Sequence, residues 1–467
     1  DKQTMIYRMK LLTLVVSLFV LTKSATGQEN LIEIYQRALQ NDPVIREAEA
    51  NYLVMLEAKP QARSAVLPSL TLSAGASIGD STNPNPATNF MTGEPSKVVV
   101  SSESRRDSSD WSVALTQTLY NRGQFIALRQ ADKQVARAEV GYQLAKQDLL
   151  LRVSEAYFNV LAAEDTVASE QAAREAIRRQ LEQAEQRFEV GLIAITDVQE
   201  AQAGFDQAVA AEISAQRLLA TSREFLREII GSHVTDLAGP KEDFPLISPN
   251  PADQEAWVRT ALDQNLALIS NRIGTEIAQD SIEIERSTRL PTLRLSGNFG
   301  ESQSESTRIN NLANGLSPRT FSEFGSEGYS FNLSFSVPIY SGGFNASRIR
   351  QSVYQHRAAL EGLERTARQT ERLTRDAYLG VLSEISRVRA LRQAVESSET
   401  ALRATEAGFE VGTRTTVDVL ASQNNLRRAQ TNFARSRYDY ALEVLNLKYA
   451  AGSLAVQDLE LVNEWLE

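Results

Sequence analysis

The chain has 467 residues, a net charge of −10, 7% aromatic residues and no cysteine. The negative balance argues against nucleic acid or an anionic membrane surface as a partner. The missing cysteine excludes a Cys-based zinc site, a catalytic cysteine, a disulfide frame and an acylated N-terminal cysteine.

Arg8 and Lys10 precede the apolar run Leu11 to Leu21, and small residues follow at Ser24-Ala25-Thr26-Gly27. This is the three-part pattern of a secretory signal peptide, too short to span a bilayer. Residues 1–27 are therefore set aside, with cleavage expected near Gly27 or Gln28. No later run of about 18 apolar residues follows, so no transmembrane helix is expected.

Prolines divide the rest. None falls between Pro95 and Pro240, and none after Pro338. Both proline-free regions are rich in Ala, Glu, Gln, Arg and Leu with helical periodicity. A Pro-rich linker over residues 240–251 separates two halves, 28–239 and 252–452, and residues 453–467 form a C-terminal tail. The halves repeat each other. Leu67-Pro68 aligns with Leu290-Pro291, Tyr120 with Tyr340, and Gly231 with Gly452, at an offset that stays between 220 and 223. That constancy marks a tandem repeat.

Each half predicts a helix, two strands and a long helix. In the first, a helix over about 31–65 precedes a strand from Leu70 to Ile78. A polar loop runs from Gly79 to about Ser109, then a strand over 111–119. A helix runs from near Gly123 to just before Gly191. The second half gives a strand over 293–299, a loop to Gly328, a strand over 329–337 and a helix over about 345–409. Apolar residues alternate with small polar ones along these strands, and their nine to eleven residues match a tilted transmembrane strand. Trp111, Tyr120, Tyr329 and Tyr340 stand near the expected strand ends, where interfacial aromatics belong. A soluble hairpin on a helical protein is the competing reading of the strands alone.

The long helices decide between them. At about 1.5 Å per residue, the region from Gly123 to Phe188 would form a helix of roughly 100 Å. Such a helix must pack along others in coiled-coil fashion. Four strands per chain cannot close a barrel, which needs at least about eight. Both features call for oligomerisation, and a trimer supplies twelve strands.

Each long helix ends in a turn. Phe188-Glu189-Val190-Gly191-Leu192-Ile193-Ala194-Ile195-Thr196-Asp197 corresponds to Phe409-Glu410-Val411-Gly412-Thr413-Arg414-Thr415-Thr416-Val417-Asp418. Gly191 and Gly412 fit the left-handed position at a helix C-terminus. Thr196 to Gln199 and Thr415 to Asp418 read as capping boxes that start the return helices. A carboxylate in a first helical turn is favoured by the macrodipole, which alone explains Asp197 and Asp418. Yet the two turns differ in Arg414 for Ile193, Val417 for Thr196 and Thr413 for Leu192. In a trimer these differences would let six hairpins alternate, with Arg414 bridging to Thr196 or Asp197 of a neighbour and three Asp418 carboxylates ringing the axis.

The signal peptide, the duplicated helix-strand-strand-helix unit and the segment Phe409 to Leu420 together resemble the TolC family of outer-membrane channels. The resemblance covers essentially the whole mature chain. It implies an α+β fold with a trimeric twelve-stranded transmembrane β-barrel, four strands per chain, continuous with a long periplasmic α-helical barrel of coiled-coil hairpins. It implies a passive duct for drug efflux and type I protein secretion in the outer membrane of a Gram-negative bacterium. The partners it implies are two further copies of the chain, a periplasmic adaptor, an inner-membrane RND or ABC transporter and outer-membrane lipid, without cofactor or metal. By position, Thr196, Asp197, Phe409 and Arg414 would form the gate and Asp418 a cation-selective constriction. The turns with Val190, Gly191, Val411 and Gly412 would meet the adaptor. Two departures from the family pattern stand out: Phe409 replaces a tyrosine, and Ala421 replaces a second aspartate.

Two other classes are weaker. A surface adhesin needs neither paired nine-residue strands nor asymmetric turns. An enzyme finds no support in the only histidines, His233 and His356, which lie in different halves without metal-binding spacing.

Overall fold

The computed structural model describes residues 28–84, 99–234, 236–241, 244–312 and 315–466. The expected signal segment lies outside them, as do residues 85–98 of the first expected loop. The elements in order are α1 (Leu31–Asn41), α2 (Pro43–Leu56), α3 (Ala58–Ser64), β1 (Ser69–Asn83), β2 (Val99–Tyr120), α4 (Arg122–Glu189) and α5 (Ile195–Ile230). The second half follows the same order with α6 (Gln254–Gln264), α7 (Leu266–Ser287), β3 (Thr292–Leu312), β4 (Arg319–Ser336), α8 (Phe344–Glu410) and α9 (Thr416–Ala450). A short α10 (Val456–Asn463) closes the chain. No helix among the described residues is long and apolar enough to cross a membrane.

The first helix of each half is broken rather than continuous. In the first, Pro43 cannot continue α1, and Asp42 before it takes an extended backbone. The Asp42 carboxylate then accepts from the Ile45 N–H at 3.1 Å and starts α2. In the second half Asn265 makes the same break without proline, and its side chain donates to the Ala450 carbonyl at 3.0 Å.

The chain forms two compact units, and each draws on both halves of the sequence. One holds the residues up to Ala48, Gln143–Leu266 and those from Arg368 onward. Its core gathers Leu31, Ile34 and Ala38 of α1, Leu226 and Ile230 of α5, and Tyr157, Phe158 and Tyr438 of the long helices, all buried. Tyr157 donates to the Ala238 carbonyl at 2.7 Å. Burial pushes its phenol well above the usual tyrosine range. Linker and tail are tied together. Phe244 and Tyr440 flank Trp465 at centroid distances of 5.4 and 5.9 Å, and Tyr440 donates to the Ile247 carbonyl at 2.9 Å.

The other unit holds Glu49–Tyr142 and Ala267–Ala367, and with them the sheet. Its four strands are antiparallel in the order β1-β2-β3-β4. Rows across the sheet run Leu72–Val113–Phe299–Tyr329 and Leu70–Leu115–Gly297–Phe331 on one face. On the other they run Thr71–Ala114–Asn298–Ser330 and Ser69–Thr116–Ser296–Asn332. One face is thus mainly apolar and the other small and polar, which follows from the period-2 geometry of a strand.

The strands are longer than expected, and most of the described parts of the expected loops are strand. Apolar alternation stops near Ile78, Trp111, Phe299 and Tyr329, but the main-chain ladder continues between residues that are mostly polar on both faces, with Ile309, Phe321 and Phe324 among the exceptions. Serine pairs Ser77–Ser108, Ser81–Ser104 and Ser306–Ser322 join hydroxyls across it at 2.8 Å. Trp111 and Tyr329 consequently stand inside their strands rather than at the ends. Trp111 meets Phe299 edge-on at 5.4 Å and donates to Glu301 at 3.3 Å. Their rows mark where the apolar band gives way to the polar ladder.

Candidate functional site at the hairpin turns

The two turns share one backbone. Gly191 and Gly412 have φ of 75° and 78°, a left-handed conformation that glycine adopts without a Cβ clash. At the first, Gly191 N–H donates to the Phe188 carbonyl at 2.8 Å and Leu192 N–H to that of Arg187 at 2.9 Å. At the second, Gly412 N–H donates to Phe409 at 3.1 Å and Thr413 N–H to Gly408 at 2.8 Å. These paired bonds are the Schellman pattern that satisfies the last carbonyls of a helix. Val190 and Val411, beside the glycines, are 70% and 75% exposed, so each turn presents a bare apolar tip.

The return helices are capped differently. At α9 the expected box is present. Asp418 N–H donates to the Thr415 hydroxyl at 3.3 Å, and the Asp418 carboxylate accepts from the Thr415 N–H at 2.9 Å and its hydroxyl at 3.0 Å. The Thr415 N–H, then its hydroxyl, hold the Asp418 carboxyl below the usual aspartate range, and the nearby Arg414 charge adds to this. At α5 the expected box from Thr196 to Gln199 does not form. Ala194 is the N-cap, so Thr196 lies inside the first turn and stands exposed. Ala194 has no side-chain acceptor. Only the return bond forms, with Asp197 accepting from the Ala194 N–H at 3.2 Å.

The other predicted gate residues fall as follows. Arg414 is exposed. Its stem lies against α8, where a Cβ on Gly408 would come within 2.8 Å of the Arg414 Cγ. Among the described residues, no hydrogen bond or ion pair joins Arg414 to Thr196 or Asp197 within the protomer. Phe409 is half-buried and lies under the Arg187 guanidinium, 4.9 Å from the ring centroid. Sequence reasoning missed Arg187, because nothing local distinguishes it from other helix-surface arginines.

Further contacts join the hairpin α4–α5 to the hairpin α8–α9. A Cβ on Gly204 would lie 3.3 Å from Leu420, so α5 and α9 approach closely there. Arg427 of α9 pairs with Glu170 of α4. Higher up, Tyr438 donates to Asp165 at 2.6 Å and stacks on Phe158 at 5.7 Å. Below these, Leu181, Ala184, Val198 and Ala201 form the small core of the first hairpin, with Ile193 and Phe205 against it. No cluster of acidic or histidine side chains among the described residues is arranged to hold a metal ion.

Both halves of the tandem repeat match a known protein family. The "Outer membrane efflux protein" family matches residues 34–232 and 257–453. The chain belongs to this family. It is 37% identical to the outer membrane protein TolC of Vibrio cholerae, over 98% of this chain and 99% of that protein. It is 29% identical to the alkaline protease secretion protein AprF of Pseudomonas aeruginosa, over 92% of this chain and 86% of that one. The fold resembles the crystal structure of the CmeC outer membrane channel of Campylobacter jejuni, with a TM-score of 0.71, 17% identity and coverage of 94% and 90%. As an outer membrane efflux protein, the chain is a channel of the outer membrane serving efflux and type I secretion, and not an enzyme.

Proposed function

We propose that three copies of the chain form one duct, closed at its inner end by the hairpin turns. In this reading each repeat, 28–239 and 252–452, supplies two strands to a twelve-stranded barrel and one long hairpin to a periplasmic helical tunnel. The apolar sheet face meets lipid. Phe331, Leu333 and Phe335 on it are largely exposed in the single chain, a patch that water does not favour. The small polar face lines the aqueous path. The bare tips at Val190, Gly191, Val411 and Gly412 dock a periplasmic adaptor, which couples the duct to an inner-membrane RND or ABC transporter.

The observation that carries the gate is the placement of Arg414. Two turns of equal backbone differ in one long cation, which is exposed and lies against Gly408. In a ring of six alternating hairpins, Arg414 reaches Thr196 and Asp197 of the adjacent protomer and holds the duct shut. Asp418, in the first turn of α9, supplies a ring of three carboxylates that favours cations. The purified protein is expected to conduct weakly in planar bilayers, and Arg414→Ala to raise the conductance several-fold. A variant that conducts like the wild type overturns the gate assignment.

A further inference from the structure

We propose that Glu170 and Arg427 form a second latch, inside each protomer, that holds the two hairpins together above the turn. The proposal rests on the reading that the hairpins close the duct, and adds a residue pair to it. Glu170 is 7% exposed, a carboxylate in the body of α4 well away from either helix end. Its partner comes from the other repeat, 257 positions away. The first hairpin has its own ion pair, Arg174 of α4 with the buried Glu212 of α5 at 2.7 Å. That pair binds a hairpin to itself. The Arg427–Glu170 pair binds one hairpin to the other.

Its place on the helix gives it leverage. Tyr438 is fully buried and tied to Asp165 and Phe158, which pins α9 to α4. Arg427 lies about three turns closer to the tip. A swing of α9 about the Tyr438 anchor separates Arg427 from Glu170 before it disturbs the core. Both charges then regain water, so the intact pair can part and re-form. Removing one charge is different. Without Arg427 the buried Glu170 has no counter-ion, and without Glu170 the half-buried Arg427 loses its carboxylate; each reaches water most directly when the hairpins part. Loss of either charge therefore favours the open duct, which a merely space-filling contact would not do.

The experiment measures the conductance of full-length trimers in planar bilayers, with Arg414→Ala alongside as the reference. Arg427→Met and Glu170→Gln are each expected to raise conductance several-fold, and the charge exchange Glu170→Arg with Arg427→Glu to bring it back toward wild type. Thermal midpoint and trimer mass in detergent control for folding. Single variants that conduct like the wild type, or an exchange no different from the singles, overturn the latch. Should the singles not assemble, the cysteine-free chain allows E170C/R427C to be bridged by a short bifunctional thiol reagent. Bridging is expected to lower conductance relative to a monofunctional reagent, and equal conductance overturns the latch. A flat response to Arg414→Ala alone removes the tip gate, while the exchange and the bridging still report on this pair.

Discussion

The Arg187 guanidinium lies 4.9 Å over the Phe409 ring, so the last turns of α4 and α8 meet within one protomer. The repeat sharpens this contact, because the position equivalent to Arg187 in the second half is Gly408. One copy carries a cation that covers the neighbouring hairpin, and the other a gap that accepts the stem of Arg414. Phenylalanine has no hydroxyl to donate, and its ring is held instead by this cation–π contact. Such a contact at a half-exposed site is worth about 0.5–1 kcal/mol. Arg187→Ala should therefore raise the open fraction by a factor of about 2 to 5, read as bilayer conductance. Phe409→Tyr keeps the ring and should conduct no more than wild type.

The Asp418 cap gives a prediction about pH. Its carboxyl is held below the usual aspartate range by the Thr415 N–H and hydroxyl. A depressed folded-state value means that the cap is fully formed above the ordinary aspartate range and is lost as pH falls through the lower folded value. The same ionised carboxylate would attract multivalent cations. Block by such cations from the periplasmic side should persist as pH drops through the ordinary range, and vanish only below it. Asp418→Ala should abolish the block at neutral pH. Thr415→Val removes one donor and should move the loss of block to higher pH. Block that survives Asp418→Ala would reduce Asp418 to a helix cap.

The apolar sheet face can be tested against its opposite. Leu333 stands on the apolar face, and Ser330 in a row of small polar residues on the other. A basic residue facing lipid near the bilayer centre costs about 2–4 kcal/mol. Leu333→Arg should reduce the yield of outer-membrane trimers sharply, and Ser330→Arg should leave yield intact while changing ion selectivity. Equal yields would place both faces in water.

Much of this was legible in the sequence, and the misses share a physical cause. The repeat, the long helices and the glycine turns show as periodicity and as left-handed positions, which local residues fix. Strand length did not show, because the apolar signal ends where the band ends, while residues such as Ser104 and Ser322 continue the ladder with polar side chains on both faces. The start of α5 lies two residues before the one its sequence suggests, because Thr196 looks like a cap while the Asp197 return bond to Ala194 needs no capping oxygen. The hairpin contacts Arg187–Phe409 and Glu170–Arg427 join residues of different repeats, and no local pattern announces them.

The two glycines that follow the return helices α5 and α9 should differ in tolerance. Gly231 and Gly452 both have φ of 74°. A Cβ on Gly231 would meet Asn41 at an ordinary 3.5 Å, so Gly231→Ala carries little beyond backbone strain, about 1 kcal/mol. A Cβ on Gly452 would lie 2.4 Å from the Gln264 carbonyl oxygen and 2.5 Å from the Asn265 Cα. Neither backbone atom can swing away as a side chain can. Gly452→Ala adds that clash and should cost roughly 3 kcal/mol or more. Thermal midpoints of the two variants in detergent should separate clearly.

Gly408 separates gating from folding. It lies in the last turns of α8 with ordinary helical geometry, so alanine there should favour the helix by about 0.8–1 kcal/mol. The added methyl would lie 2.8 Å from the Arg414 Cγ and 3.2 Å from the Thr413 hydroxyl. The hydroxyl can rotate, but the Arg414 stem must leave its place against α8. Gly408→Ala should thus hold or raise the thermal midpoint while raising conductance, the opposite pairing from a variant that merely loosens the tip. Conductance at the wild-type level would mean that the seat of Arg414 against Gly408 does not set the gate. A lower midpoint with higher conductance would assign the opening to a frayed helix end instead.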